Sequence, residues 1–76
     1  MILSYAIGED IFIQFDKLIK KGTVMLTNRQ HKPVSSRSFS NTNFTKISNG
    51  NLKGTVYLEI DCDGEHITKS MNIVRK

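Results

Sequence analysis

Apolar residues fall at every second position along most of the chain, and no window of about eleven residues carries a helical stripe. Alternation of period two sends successive side chains to opposite faces of an extended strand, so the pattern predicts an all-β protein. Leu3, Tyr5 and Ile7 share one parity; Gly8 interrupts, a tight connection runs to Asp10, and Ile11, Ile13 and Phe15 repeat the pattern in a second strand. Asp16 to Lys21 is too short for a stable helix and is followed by Gly22. It reads as a six-residue hairpin loop with Leu18 or Ile19 folded back on the core. Thr23 to Thr27 follows as a strand with Val24 and Leu26 inward.

Asn28 to Pro33 is polar and ends in the chain's one proline, which cannot donate to a central ladder and suits a loop exit or an edge. Val34 to Phe39 makes a weaker strand. From Ser35 to Asn51 Ser, Asn and Thr dominate, yet Phe44, Ile47 and Leu52 are spaced as pegs into a core. The pattern predicts an ordered crossover with a short strand near Phe44 to Ser48 and a turn at Asn49 to Asn51.

The sharpest local signal is Asp63-Gly64 between two alternating runs, a pair suited to a type I′ turn, in which both central residues take positive φ. Pairing Cys62 with Glu65 then sets Ile60 opposite Ile67, Leu58 opposite Lys69 and Val56 opposite Met71. Lys69 is the exception among inward positions, its stem suited to snorkelling at a sheet margin. About seven short antiparallel strands result, which points to a small immunoglobulin-like β-sandwich in preference to a partly open barrel.

With 76 residues the chain is a single domain, 1–76. A core of this size supplies only about 3–5 kcal/mol, leaving little to support a catalytic pocket of unpaired polar groups, so an enzyme is not expected. Nucleophilic catalysis needs Ser, Thr or Cys beside an oriented base, and the serines at 35, 36, 38 and 40 have only His31 and His66 to serve them. Cys62, the single cysteine, cannot form an intrachain disulfide and sits between Asp61 and Asp63, a setting that raises a thiol pKa. With His31 and His66 it makes too thin a ligand set for structural zinc, and the run from Asp61 to His66 lacks the ligands of a calcium loop. No cofactor is expected. No run of eighteen apolar residues is present, and Met1 to Ile7 lacks a basic leader, so neither a membrane span nor a signal peptide is read.

Charge is unevenly spread. The net charge is +4, but Lys17 to Leu58 contains no acid and carries +8, against −3 for residues 1–16 and −1 for 59–76. Such a segment can be an electrostatic footprint for a polyanion, or simply a means of keeping strand edges soluble. The aromatics near it, Phe39 and Phe44, are separated by Ser, Asn and Thr and offer little stacking surface for bases. The candidate binding residues are Arg29, His31, Lys32 and Arg37, which cluster around one loop and the strand after it.

Two family resemblances bear on function. The order of Asp10-Ile11-Phe12-Ile13, Gly22-Thr23-Val24-Met25-Leu26-Thr27-Asn28, Ser38-Phe39-Ser40-Asn41-Thr42, Val56-Tyr57-Leu58-Glu59-Ile60 and Asp63-Gly64 resembles the small immunoglobulin-like domains of Bacteroidetes secreted proteins. Within these it is similar to the C-terminal sorting domains of type IX secretion cargo. That resemblance, over about nine-tenths of the chain from Gly8 to Lys76, implies a non-enzymatic, secreted or surface-associated binding module; without it the chain would be placed in the cytoplasm. Met1-Ile2-Leu3-Ser4 with Ile7-Gly8-Glu9 is similar to the opening strands of the carbon-storage-regulator family of small RNA-binding dimers, with Tyr5 and Ala6 where that family places a basic residue.

The function expected is thus a binding module that engages a protein or polyanionic macromolecule through loops or an edge strand. The alternative is a small basic protein that binds nucleic acid or inhibits a nucleic-acid-binding partner, as phage-type inhibitors do. An edge strand can also pair across a two-fold axis into a homodimer.

Overall fold

A computed structural model describes residues 2–50 and 52–74. The protein is all-β: β1 (Ile2–Ile7), β2 (Asp10–Thr27), β3 (Pro33–Ser48), β4 (Gly54–Cys62) and β5 (Glu65–Ile73) form one curled antiparallel sheet. Its order is β1-β2-β4-β5, with β3 on the other edge of β2. Five strands replace the expected seven, because two pairs of predicted short strands are continuous through β2 and β3.

Neither long strand can be straight. At ~3.3 Å per residue, β2 would span ~59 Å, whereas the longest dimension of the molecule is 35 Å. The bend in β2 lies between the Gln14–Phe44 and Ile19–Thr42 pairs, where β2 holds three more residues than β3. On β3 the bend coincides with Asn41, held at φ 52°. Curling is tight enough that Ser35 Oγ donates to the Ser48 carbonyl at 2.9 Å, though the two residues would lie ~43 Å apart on a straight strand. One edge of β2 therefore serves two partners in succession, β1 along residues 10–15 and β4 along 22–27.

Asp16 to Lys21 is thus a bent stretch of β2, not a hairpin loop. The reason lies 42 residues away. The Asp63 carboxylate accepts the backbone N–H of Lys20 (3.2 Å) and of Lys21 (3.0 Å), and the Asp63 N–H donates to the Lys21 carbonyl (3.0 Å). These bonds satisfy backbone that a loop would have left to water, and they hold the Asp63 carboxyl below its ordinary pKa, the Lys21 N–H contributing most. Ile19 is buried while Leu18 is exposed.

The inward side chains switch parity across the bend, from Ile11, Ile13, Phe15 and Ile19 to Val24 and Leu26. They meet Ile47 of β3 and Val56, Leu58, Ile60 and Cys62 of β4 in one core. Each fully buried aliphatic is worth about 1.5–3 kcal/mol against its exposed state. Phe44 departs from expectation: it lies on the outer surface, while Ile47 is buried and Leu52 packs partly on the core. Leu52 N–H closes the turn onto the Asn49 carbonyl (3.0 Å); Asn51 lies outside the described residues.

The final hairpin has the predicted register at every pair, with Asp63 at φ 48° and Gly64 at φ 87°. Lys69 does leave the core margin: its ammonium donates to the Ile2 carbonyl and joins β5 to β1. Cys62 is buried, and burial pushes its thiol pKa up, with Glu65 and Asp63 adding to the effect.

Candidate functional site

On the outer side of β2, β4 and β5 the curl leaves a concave surface of about 470 Å³, lined by Thr23, Met25, His31, Ser36, Glu59, Asp61 and His66 among others. Strand alternation explains this set. Leu58, Ile60 and Cys62 point inward, so Glu59 and Asp61 face out, and register brings Thr68 opposite Glu59 and His66 opposite Asp61.

The β2–β3 loop, residues 28–32, forms one rim. Asn28 organises it: its side-chain oxygen accepts the N–H groups of Gln30 (2.9 Å) and Lys32 (3.0 Å), and its carbonyl accepts the His31 N–H (2.9 Å). His31 takes a left-handed φ of 65°, and its ring stacks on Tyr57 of β4 with centroids 4.3 Å apart. Arg29 and Lys32 are exposed on the same loop. Arg37 is not with them. It follows Ser36 on β3, so alternation turns it to the opposite side, where it lines a separate concavity of about 460 Å³ with Phe39, Phe44 and Lys46. The structure thus brings together three of the four candidate residues and sets the fourth apart.

The floor of the first concavity carries a cluster that residue-by-residue reading missed. His66 Nδ1 lies 2.7 Å from Asp61 Oδ1 and its Nε2 lies 2.9 Å from Glu59 Oε1, while Thr68 Oγ1 donates to the same Glu59 oxygen at 2.7 Å. Carboxylates only accept, so both ring nitrogens can donate only if the imidazole is protonated. Asp61 and then Glu59 raise the His66 pKa above its ordinary value, and Thr68 and His66 lower that of Glu59. The signal was available in the Asp63-Gly64 turn, whose register already sets Asp61 against His66.

A pH dependence follows with opposite signs at its two ends. Because the folded pKa of His66 is raised, its contribution is complete below the unfolded value of about 6.5 and is lost as pH rises through the folded value. Because that of Glu59 is lowered, its contribution is present above the unfolded value of about 4.3 and is lost as pH falls through the folded one. The cluster therefore holds best between these limits. Imidazole NMR should show His66 titrating above about 6.5, and Asp61→Asn should lower that midpoint. A wild-type midpoint at or below the ordinary value would contradict the bridged geometry.

With both nitrogens committed to carboxylates, His66 is not available as a base toward Thr23 or Ser36. Among the described residues no group of three or more His, Cys, Asp or Glu is placed to hold a metal ion, and no helix is long and apolar enough to cross a membrane. No family model matches the chain, and no curated protein matches it.

Proposed function

We propose that this protein is a non-enzymatic binding module that takes another protein through the β2–β3 loop and the concavity beneath it. The carrying observation is the His31–Tyr57 stack, because it pins a loop bearing Arg29 and Lys32 to the rim of a concave surface. A loop already ordered by Asn28 and by this stack loses little conformational freedom on binding. Its mixed chemistry, cationic loop above carboxylates and Met25, suits a peptide surface with both charges and an apolar anchor.

An immunoglobulin-like β-sandwich is the architecture assigned to the curled sheet. The bends divide β2 and β3 into two segments each, so five strands supply seven strand segments around one core. A secreted or surface-associated setting goes with the family resemblance.

Panning a random peptide library against the folded chain, followed by NMR shift mapping of an enriched peptide, tests the assignment. The shifts should centre on residues 28–32 and on Tyr57. Replacing Arg29, His31 and Lys32 together by Ser should cost about tenfold or more in affinity, whereas Arg37→Ser should leave it unchanged. A peptide indifferent to the triple replacement, or shifts centred on Arg37 and Lys46 with an oligonucleotide as the better ligand, would overturn it.

A further inference from the structure

The outer face of β1, the first part of β2 and the last part of β3 is unlike the rest of the surface. Tyr5, Phe12 and Phe44 form a ladder of stacked rings across the three strands, with centroid separations of 5.4 Å and 5.8 Å and interplanar angles of 19° and 23°. On either side of Tyr5 along β1, Leu3 and Ile7 stand 55% and 62% exposed, and Tyr5 itself is 44% exposed. A contiguous apolar surface of this kind on so small a chain marks an interaction site.

Nucleic acid does not fit this face. Phe12 spends both ring faces on Tyr5 and Phe44, and within the three-strand face Lys46 is balanced by Asp10, with Arg37 bordering it beside Phe44 and Lys46. The face therefore offers no open central stacking platform and only a weak positive field for phosphates. Strand addition at the neighbouring edges is hindered too. The N–H and carbonyl of Phe44 are both taken by Thr42 Oγ1 (3.2 and 3.0 Å), Ser35 occupies the Ser48 carbonyl, and Lys69 occupies that of Ile2. The edges are thus partly occupied, whereas the face is open.

We infer that this face is the contact between two copies of the chain, related by a two-fold axis that runs diagonally across the sheet through Phe12. The register makes the surface a grid of three strands by three outward positions. Phe12 is at its centre, opposite Tyr5 on β1 and Lys46 on β3; Asp10 lies two residues along β2 on one side and Gln14 two residues along on the other. A two-fold axis in the plane of the contact makes each residue face the mirror position of its copy across that axis. Along the diagonal from Leu3 to Ser48, Phe12 meets Phe12, Ile7 meets Phe44, Asp10 meets Lys46, and Tyr5 meets Gln14. Every pairing is complementary.

The side chains support this arrangement individually. Neither the Asp10 carboxylate nor the Lys46 ammonium has an ion-pair or hydrogen-bond partner among the described residues, and the dimer supplies each with one, twice over. The Gln14 amide nitrogen is already used on the carbonyls of Phe15 and Asn43, which leaves its oxygen to accept the Tyr5 hydroxyl of the other copy. The strands of the two copies cross steeply, as in the orthogonal class of sheet packing. The surface does not involve the β2–β3 loop, so its assignment stands or falls apart from the proposed function.

Sedimentation equilibrium of the full chain at low ionic strength, from about 10 μM to about 1 mM, is the test. Wild type should show a monomer–dimer equilibrium in this range. Asp10→Lys and Lys46→Asp, each placing two like-charge contacts in the dimer, should weaken association by about tenfold or more, and the double exchange should recover it to within about threefold. Phe12→Lys should abolish it independently of the charge pair. All these positions lie on the outer face, and dispersed amide spectra will verify that each variant is folded. A wild type that stays monomeric throughout, or a dimer indifferent to both single exchanges, overturns the inference.

Discussion

Leu58→Ala is expected to leave the chain largely unfolded at room temperature. Leu58 is 0% exposed, lies opposite Leu26 in the ladder between β2 and β4, and has Lys69 as its cross-strand partner on β5. Removing its isobutyl group loses the transfer energy and leaves a cavity among strands whose backbone is held on both sides and cannot collapse. Such replacements cost about 2–5 kcal/mol, comparable with the whole stability of about 3–5 kcal/mol available to a chain of this size. Urea denaturation followed by circular dichroism should show the folded baseline lost for Leu58→Ala. Leu18→Ala, at a position 62% exposed, should shift stability by no more than about 0.5 kcal/mol. Similar loss from both would mean that the bend at residues 15–22 packs differently from the arrangement described.

Gly22→Val should be nearly as damaging, through overpacking rather than a cavity. A Cβ on Gly22 would stand 2.5 Å from Phe39 Cζ and 2.9 Å from the backbone carbonyl oxygen of Asp61. Gly22 is paired on both sides, to Phe39 of β3 and Cys62 of β4, so neither neighbour can retreat without breaking a ladder. The expected cost is about 3 kcal/mol, read from the shift in denaturation midpoint. The Phe39 ring can swing away but the Asp61 carbonyl cannot. Adding Phe39→Leu should therefore recover only part of the loss, and full recovery would show that the carbonyl is not the obstacle.

The role of Gly22 is not contained in its local sequence. Beside Lys20 and Lys21 this glycine reads as the exit of a hairpin loop. Its actual role is to let Phe39 lie over the sheet just where β2 has turned, and that requires knowing that β3 runs back along it. The same holds for Asp63. Its turn conformation was legible, because Asp-Gly between alternating runs has one good solution, but its carboxylate also caps backbone 42 residues earlier. Nothing local in Asp16 to Lys21 reveals a strand there, since the groups that make it one come from the other end of the chain.

The candidate site divides in the same way. Arg29, His31 and Lys32 were legible as a unit because they share one short loop, and a loop keeps its residues together whatever the fold does. Sequence proximity groups Arg37 with them, but one further step of alternation sends it to the other side of β3. Tyr57, Glu59 and Asp61 take the outward positions of β4, and His66 stands opposite Asp61 on β5. They became part of a site only because the curl of β2 turned that strand's outer side into the floor of a concavity rimmed by the β2–β3 loop.

From the amino-acid sequence alone came the all-β class, the register of β4 on β5, the inward positions of β2 and β4, and the basic loop. All of these depend on period-two alternation or on a two-residue turn, interactions that act between near neighbours. Tertiary structure decided the rest: that β2 and β3 are continuous and bent, that Phe44 joins Tyr5 and Phe12 on the surface, and that His66 is held between two carboxylates. Each depends on contacts between residues far apart in the chain, and alternation, which says only which side of a strand a residue takes, is silent on what that side will meet.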